Sequence, residues 1–123
     1  MPDQASLESF IGNSFRSVWA LDVLQYLADN SGSSFTSEEL ITALRVSDAV
    51  ISQSVENLSA VGLAMVDGQG RIALHEGNAE QAKLVRAAID FYRKSPDKVR
   101  RLIVAQASPG ATAFADAFKL RKD

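Results

Sequence analysis

The chain has 123 residues, 46% of them hydrophobic, with no cysteine, one histidine and a formal net charge of −2. That length and apolar content suit one domain, 1–123, with a real core, and the lack of cysteine excludes disulfides and thiolate chemistry. No apolar run approaches a membrane span, and the acidic start MPDQASLESF lacks a signal peptide's basic opening and apolar middle, so a cytoplasmic protein with no membrane partner is expected.

The small net charge hides an asymmetry. Residues 1–77 carry three bases against ten acids, whereas residues 78–123 carry ten bases against five acids. Such halves suit electrostatic partners, contact with each other, or solubility alone.

Residues 4–11 have the spacing of a short amphipathic helix burying Leu7, Phe10 and Ile11, with Gly12-Asn13-Ser14 as an interruption. Asn13 or Ser14 then caps a longer helix over 15–28, whose core candidates include Phe15, Trp19, Leu21, Leu24 and Leu27. Trp19 reads as a core anchor. Residues 30–34 form a Ser/Gly connector.

Residues 36–63 are the most informative stretch. Thr36 and Glu39 have capping-box spacing, and Leu40, Ile41 and Leu44 give the following helix an apolar face. Val46 reads as a buried turn residue. Ser47 reads as the cap of a second helix, with Asp48 in its first turn and Ile51, Val55 and Leu58 facing the core. Gly62 suits the left-handed residue that ends a helix. Two four-residue arms, 63–66 and 71–74, flank Asp67-Gly68-Gln69-Gly70, whose glycines favour a tight hairpin.

Two helices, a hairpin and the pattern I-S-x-x-V-x-x-L-x-x-x-G-L from Ile51 to Leu63 resemble a winged helix-turn-helix of the kind found in bacterial transcriptional regulators. The resemblance covers roughly residues 15–75. The expected fold class is therefore mainly α with a small β-hairpin: a winged helix-turn-helix core at 15–75 with extra N-terminal and C-terminal helices, the latter in an extension over 78–123.

In that extension Asn78 caps a helix over 79–94 that buries Val85, Ala88, Ile89 and Tyr92. Ser95-Pro96-Asp97 starts another, to about residue 107, burying Val99, Leu102 and Ile103. Ser108-Pro109-Gly110 breaks the chain, and 113–120 reads as a last helix with Phe114 and Phe118 on one side. The ending AFADAFKLRKD resembles that of a proteobacterial winged-helix family with no assigned activity.

Catalytic residues are not expected, nor metal ligands or a cofactor. His75 stands alone at a strand end beside Glu76, with no second histidine or cysteine to build a site. Glu38 and Glu39 are explained by the positive end of a helix. Gly68-Gln69-Gly70 lacks the lysine and following helix of a phosphate loop.

Binding remains. The resemblance implies helix 48–61 in a DNA major groove and the wing on the backbone. Its outward residues are expected to be Ala49, Ser52, Gln53, Glu56, Asn57 and Ala60. Gln53 and Asn57 would pair with an adenine edge, Ser47 and Ser52 would reach phosphate, and Arg71 is the only base the wing offers. Charge points the other way: helix 48–61 has no lysine or arginine, and residues 36–61 set Arg45 against four acids. Neutralising phosphate normally supplies most non-specific affinity.

Lys83, Arg86, Arg93, Lys94, Arg100 and Arg101 form the other candidate surface. It reads either as a solvated face, with Asp90 spaced to pair with Arg86 and Lys94, or as a contact for phosphate or an acidic partner. Two readings follow. One is a transcriptional regulator binding DNA, dimeric through helices 4–11 and 79–107. The other is a protein-interaction adaptor using Ala49, Gln53, Asn57 and Ala60.

Overall fold

The structure, a computed structural model, describes residues 3–75 and 77–107. The helix expected over 113–120 lies outside these residues, as does Glu76. Among the described residues the chain is mainly helical, with one two-stranded antiparallel sheet.

Helix α1 spans Gln4–Ser14 and starts at Asp3, whose carboxylate accepts from the Ser6 N–H at 2.7 Å. The expected break at Gly12 does not occur, because burial of Leu7, Ile11 and Phe15 holds the last turn in place. Helix α2, Val18–Asp29, starts later than expected, and its cap is Ser17 rather than Asn13 or Ser14.

Helix α2 is the spine. Ala20, Leu21, Val23, Leu24 and Leu27 are all buried, because neighbours lie on several sides of it. Each fully buried leucine contributes about 2 kcal/mol of transfer free energy. Trp19 is the exception. It is 50% exposed, not a core anchor. It stands one residue off the apolar stripe, on the face it shares with Asp22 and Tyr26.

Helices α3, Ser37–Leu44, and α4, Asp48–Ala60, pack on each other and on α2. The capping box is complete: the Glu39 N–H donates to Thr36 Oγ1 at 3.1 Å, and the Thr36 N–H donates to Glu39 Oε1 at 2.9 Å. Arg45 closes α3 in the left-handed region at φ 56°. Ser47 caps α4, accepting from the Val50 N–H at 3.2 Å. Ile51 and Leu58 are fully buried, while Val46 and Val55 are only partly covered. Gly62, at φ 77°, turns the chain so that the Leu63 N–H reaches the Leu58 carbonyl at 2.8 Å.

Strands β1, Ala64–Val66, and β2, Ile72–Leu74, pair antiparallel with Met65 opposite Ala73. Asp67 shapes the turn, its Oδ1 accepting from the Gln69 and Arg71 N–H groups at 2.8 and 2.9 Å. The other edge of β2 is also used. Phe35 and Ile72 exchange backbone hydrogen bonds of 2.8 and 2.7 Å, which fastens the turn end of the hairpin to the segment before α3.

Helices α5, Ala79–Lys94, and α6, Pro96–Ala107, pack on each other and on α1, and α6 also touches α2. Asn78 caps α5 as expected, Val85, Ala88, Ile89, Val99 and Ile103 are buried, and Tyr92 and Leu102 are half-buried. Two polar links join α5 to α2: the Tyr92 hydroxyl donates to Asp22 Oδ1 at 2.8 Å, and Arg93 pairs with Asp29 at 2.9 Å.

One buried polar atom on α4 has no partner. Ser54 is 2% exposed, and its Oγ makes no hydrogen bond among the described residues. Burying an unpaired hydroxyl is unfavourable, and alanine is the better helix former. Ser54→Ala is therefore expected to stabilise the fold by about 1 kcal/mol, read as a higher urea midpoint with an unchanged slope.

Candidate functional site

The outward face of α4 carries Ala49, Ser52, Gln53, Glu56 and Ala60, all exposed. Asn57 does not belong to it. It is 2% exposed: its Oδ1 accepts from the Arg16 N–H at 2.8 Å, and its Nδ2 donates to the Ser14 carbonyl at 2.8 Å. The α1–α2 corner leaves those two backbone groups outside any helix ladder, and Asn57 satisfies both. The expected base reader is a structural clasp.

Arg71 is also committed elsewhere. Its Nε donates to Ser34 Oγ at 2.9 Å and its Nη2 to the Ser34 carbonyl at 2.8 Å, with Glu39 at 3.5 Å. The guanidinium ties the turn end of the hairpin to the segment before α3 rather than reaching outward. Ser47 Oγ is engaged by its own helix cap. Of the residues expected at DNA, Ser52 and Gln53 are exposed and free of side-chain hydrogen bonds among the described residues.

The six candidate cations of the extension do not form one stripe. Lys83, Arg86 and Lys94 line a groove between α1 and α5. Arg93 is paired with Asp29, Arg100 with Asp97 at 3.3 Å, and Arg101 Nε donates to the Asp97 carbonyl at 3.3 Å. The expected pairing of Asp90 with Arg86 and Lys94 is not formed. Helices α5 and α6 pack against α1, while α4 packs against α2, α3 and β1, so the extension does not lend these cations to the α4 face. Arg16 and Arg45 flank α4, against Asp48 and Glu56 on it.

A feature not read from the sequence adjoins α4. Trp19, Val23 and Tyr26 of α2, Leu44, Val46 of the turn and Val50 of α4 line a groove of about 340 Å³, together with the polar Asp22, Gln25 and Asp29 of α2. Val50 is adjacent to Ala49 and one turn from Gln53. The available signal was the shared helical face of Trp19, Asp22 and Tyr26, three and seven apart.

The ionisable groups here are tuned for structure. Burial raises the Asp22 carboxyl above its ordinary value, opposed by the Tyr92 hydroxyl and by Arg100. Burial likewise raises the Tyr92 phenol, with Asp22 adding to the effect. The Thr36 N–H lowers the Glu39 carboxyl, and the Arg71 and Gln69 N–H groups lower that of Asp67.

These shifts act in different pH windows. A carboxyl raised in the folded state binds its proton more tightly there, so its contribution falls as pH rises from the ordinary value through the raised one. The lowered carboxyls of Glu39 and Asp67 contribute above the ordinary value and lose that contribution as pH falls through their folded values. Asp22→Asn is accordingly expected to flatten the melting-temperature profile just above the ordinary carboxylate range and leave the more acidic limb unchanged.

Among the described residues no group of three or more His, Asp or Glu side chains is placed to hold a metal, and no helix is long and apolar enough to cross a membrane. Comparison with protein-family models, curated proteins and solved structures finds no match.

Proposed function

We propose that the protein is a non-enzymatic winged-helix regulatory module, of the transcriptional-regulator class, that works by binding another protein through α4 and the adjoining Trp19 groove. The winged-helix reading is supported by the α3–α4 pair, the hairpin after it, and the Phe35–Ile72 bridge that joins the hairpin to the segment before α3. A cytoplasmic setting goes with this reading.

The observation that carries the protein contact is Trp19. A half-exposed tryptophan in a groove that sets Val23, Leu44, Val46 and Val50 beside the polar Asp22, Gln25 and Asp29, next to a helix face of Ala49, Gln53 and Ala60, has the composition of a protein interface: an aromatic anchor with a polar rim. A DNA surface needs cations to displace counterions, and this face has none of its own.

DNA binding is the competing reading, favoured by the helix pair and by exposed Ser52 and Gln53, with a homodimer supplying two half-sites. Two measurements separate them. In a pull-down, a partner lost on Trp19→Ala and on Ala49→Arg supports protein contact. A promoter fragment retarded at low salt, with affinity falling steeply as salt rises, and weakened by Gln53→Ala, overturns it.

A further inference from the structure

We infer that the groove between α1 and α5 is a second docking site, and that its occupant is an acidic amphipathic helix from another protein. This goes beyond the α4 reading and rests on different residues.

The groove has a volume of about 540 Å³. Its apolar floor is Leu7 of α1 with Ala87 and Phe91 of α5, and Gln4 stands at one end. The rim is Lys83, Arg86 and Lys94, with Asp90 as its one acid. Lys98 lies 5.7 Å from the centre of the Phe91 ring and is paired with Glu8 at 3.8 Å, so it adds no net charge beside the groove.

The rim cations are unspent. Arg93, Arg100 and Arg101 are held by Asp29 or Asp97, whereas Lys83, Arg86, Lys94 and Asp90 make no ion pair or side-chain hydrogen bond among the described residues. Asp90 lies four residues from both Arg86 and Lys94, a spacing that permits local neutralisation, yet no pair forms. The rim keeps a net positive field over an apolar floor.

The shape selects among anionic partners. From Lys83 to Lys94 the stripe runs about 16 Å, the length of three helical turns. A helix laid along it would place apolar residues at i, i+4 and i+7 over Phe91, Ala87 and Leu7, with carboxylates reaching the rim on either side. A phosphate backbone would meet the cations but leave the floor empty. A flat bilayer surface would not reach a recessed floor. A small anion would remain largely in water, because the groove is open along its length.

The test titrates the full chain against a fluorescent synthetic peptide of about four helical turns, with glutamates flanking leucines at helical spacing. The comparison variant is Lys83→Glu with Lys94→Glu. Both positions are exposed, so folding is retained, which circular dichroism checks. Expected is saturable binding that weakens at least tenfold in the double variant and more than threefold for a scrambled peptide of the same charge. Trp19→Ala should leave this binding unchanged, which separates it from the α4 reading.

No saturation in wild type overturns the proposal, as does binding indifferent to the double variant or to scrambling. Duplex DNA or phosphatidylserine vesicles that bind with the same dependence on Lys83 and Lys94, in place of the peptide, overturn it in favour of those surfaces. Self-association lost in the double variant assigns the groove to a second copy. Peptide binding that emerges only after Phe114→Ser and Phe118→Ser assigns it to the chain's own last residues.

Discussion

Asn57→Ala is expected to cost about 2–4 kcal/mol of folding stability, read by urea unfolding. The change strands two backbone groups at once. The Arg16 N–H and the Ser14 carbonyl each lose a 2.8 Å partner, and alanine supplies neither a donor nor an acceptor. The carboxamide is the one common side chain of that size with a donor and an acceptor side by side. Asn57→Asp should fall between alanine and wild type at neutral pH. It keeps the acceptor for Arg16 but turns a carboxylate oxygen toward the Ser14 carbonyl. Ser52→Ala and Gln53→Ala, on the exposed side of the same helix, should shift stability by less than about 0.5 kcal/mol. An Asn57→Ala protein as stable as wild type would remove the clasp and return Asn57 to the surface.

The second large effect is on binding. Trp19→Ala should weaken binding of the partner proposed for the α4 face by about 2 kcal/mol or more, roughly thirtyfold, at a stability cost near 1 kcal/mol. The asymmetry follows from exposure. Half of the indole already lies in water in the free protein, so folding depends on it weakly. An interface that covers the remaining half would gain its full apolar area, a loss truncation makes visible. Trp19→Phe should recover part of the affinity by refilling the groove beside Val46 and Val50. Calorimetric titration with the captured partner reads both. Equal affinity for wild type and Trp19→Ala would place the contact elsewhere.

The two residues behind these predictions are those that sequence reasoning placed on the wrong side. Asn57 lies one position, about 100° around the helix, from buried Leu58. At that angle a polar residue is assigned outward by default. What turns it inward is a pair of unsatisfied backbone groups forty residues upstream, which no periodicity within 48–61 reports. Trp19 failed in the opposite sense. Its size argued for burial, but α2 spends its buried surface on Ala20, Leu21, Val23, Leu24 and Leu27, and the tryptophan falls off that stripe.

Local chemistry was more legible. The capping box at Thr36, the caps at Ser47 and Asn78, the turn at Gly62 and the proline start at Pro96 each depend on a few adjacent residues, and each stands where the sequence put it. The late start of α2 shows the boundary of that reasoning. Asn13, Ser14 and Ser17 are all competent caps, and the choice falls to Ser17 because Phe15 must bury itself between the two helices. The basic face was legible as composition but not as arrangement. Arg93 finds in Asp29 a partner that only packing supplies, while Arg100 and Arg101 turn back to Asp97 within α6, leaving Lys83, Arg86 and Lys94 as a smaller group.

The double backbone link between Phe35 and Ile72 bears on how the molecule meets any visitor. Because Arg71 also grips Ser34 and Glu39 at the same spot, the ribbon is anchored at its turn end, while the Leu63–Leu58 and His75–Leu63 backbone bonds hold the other end near α4. Exposed Met65 and Val66 therefore stand on a ribbon held at both ends. A complementary surface would find that ribbon already in place, so little order would have to be created on contact, and a surface of the wrong curvature would be turned away rather than accommodated.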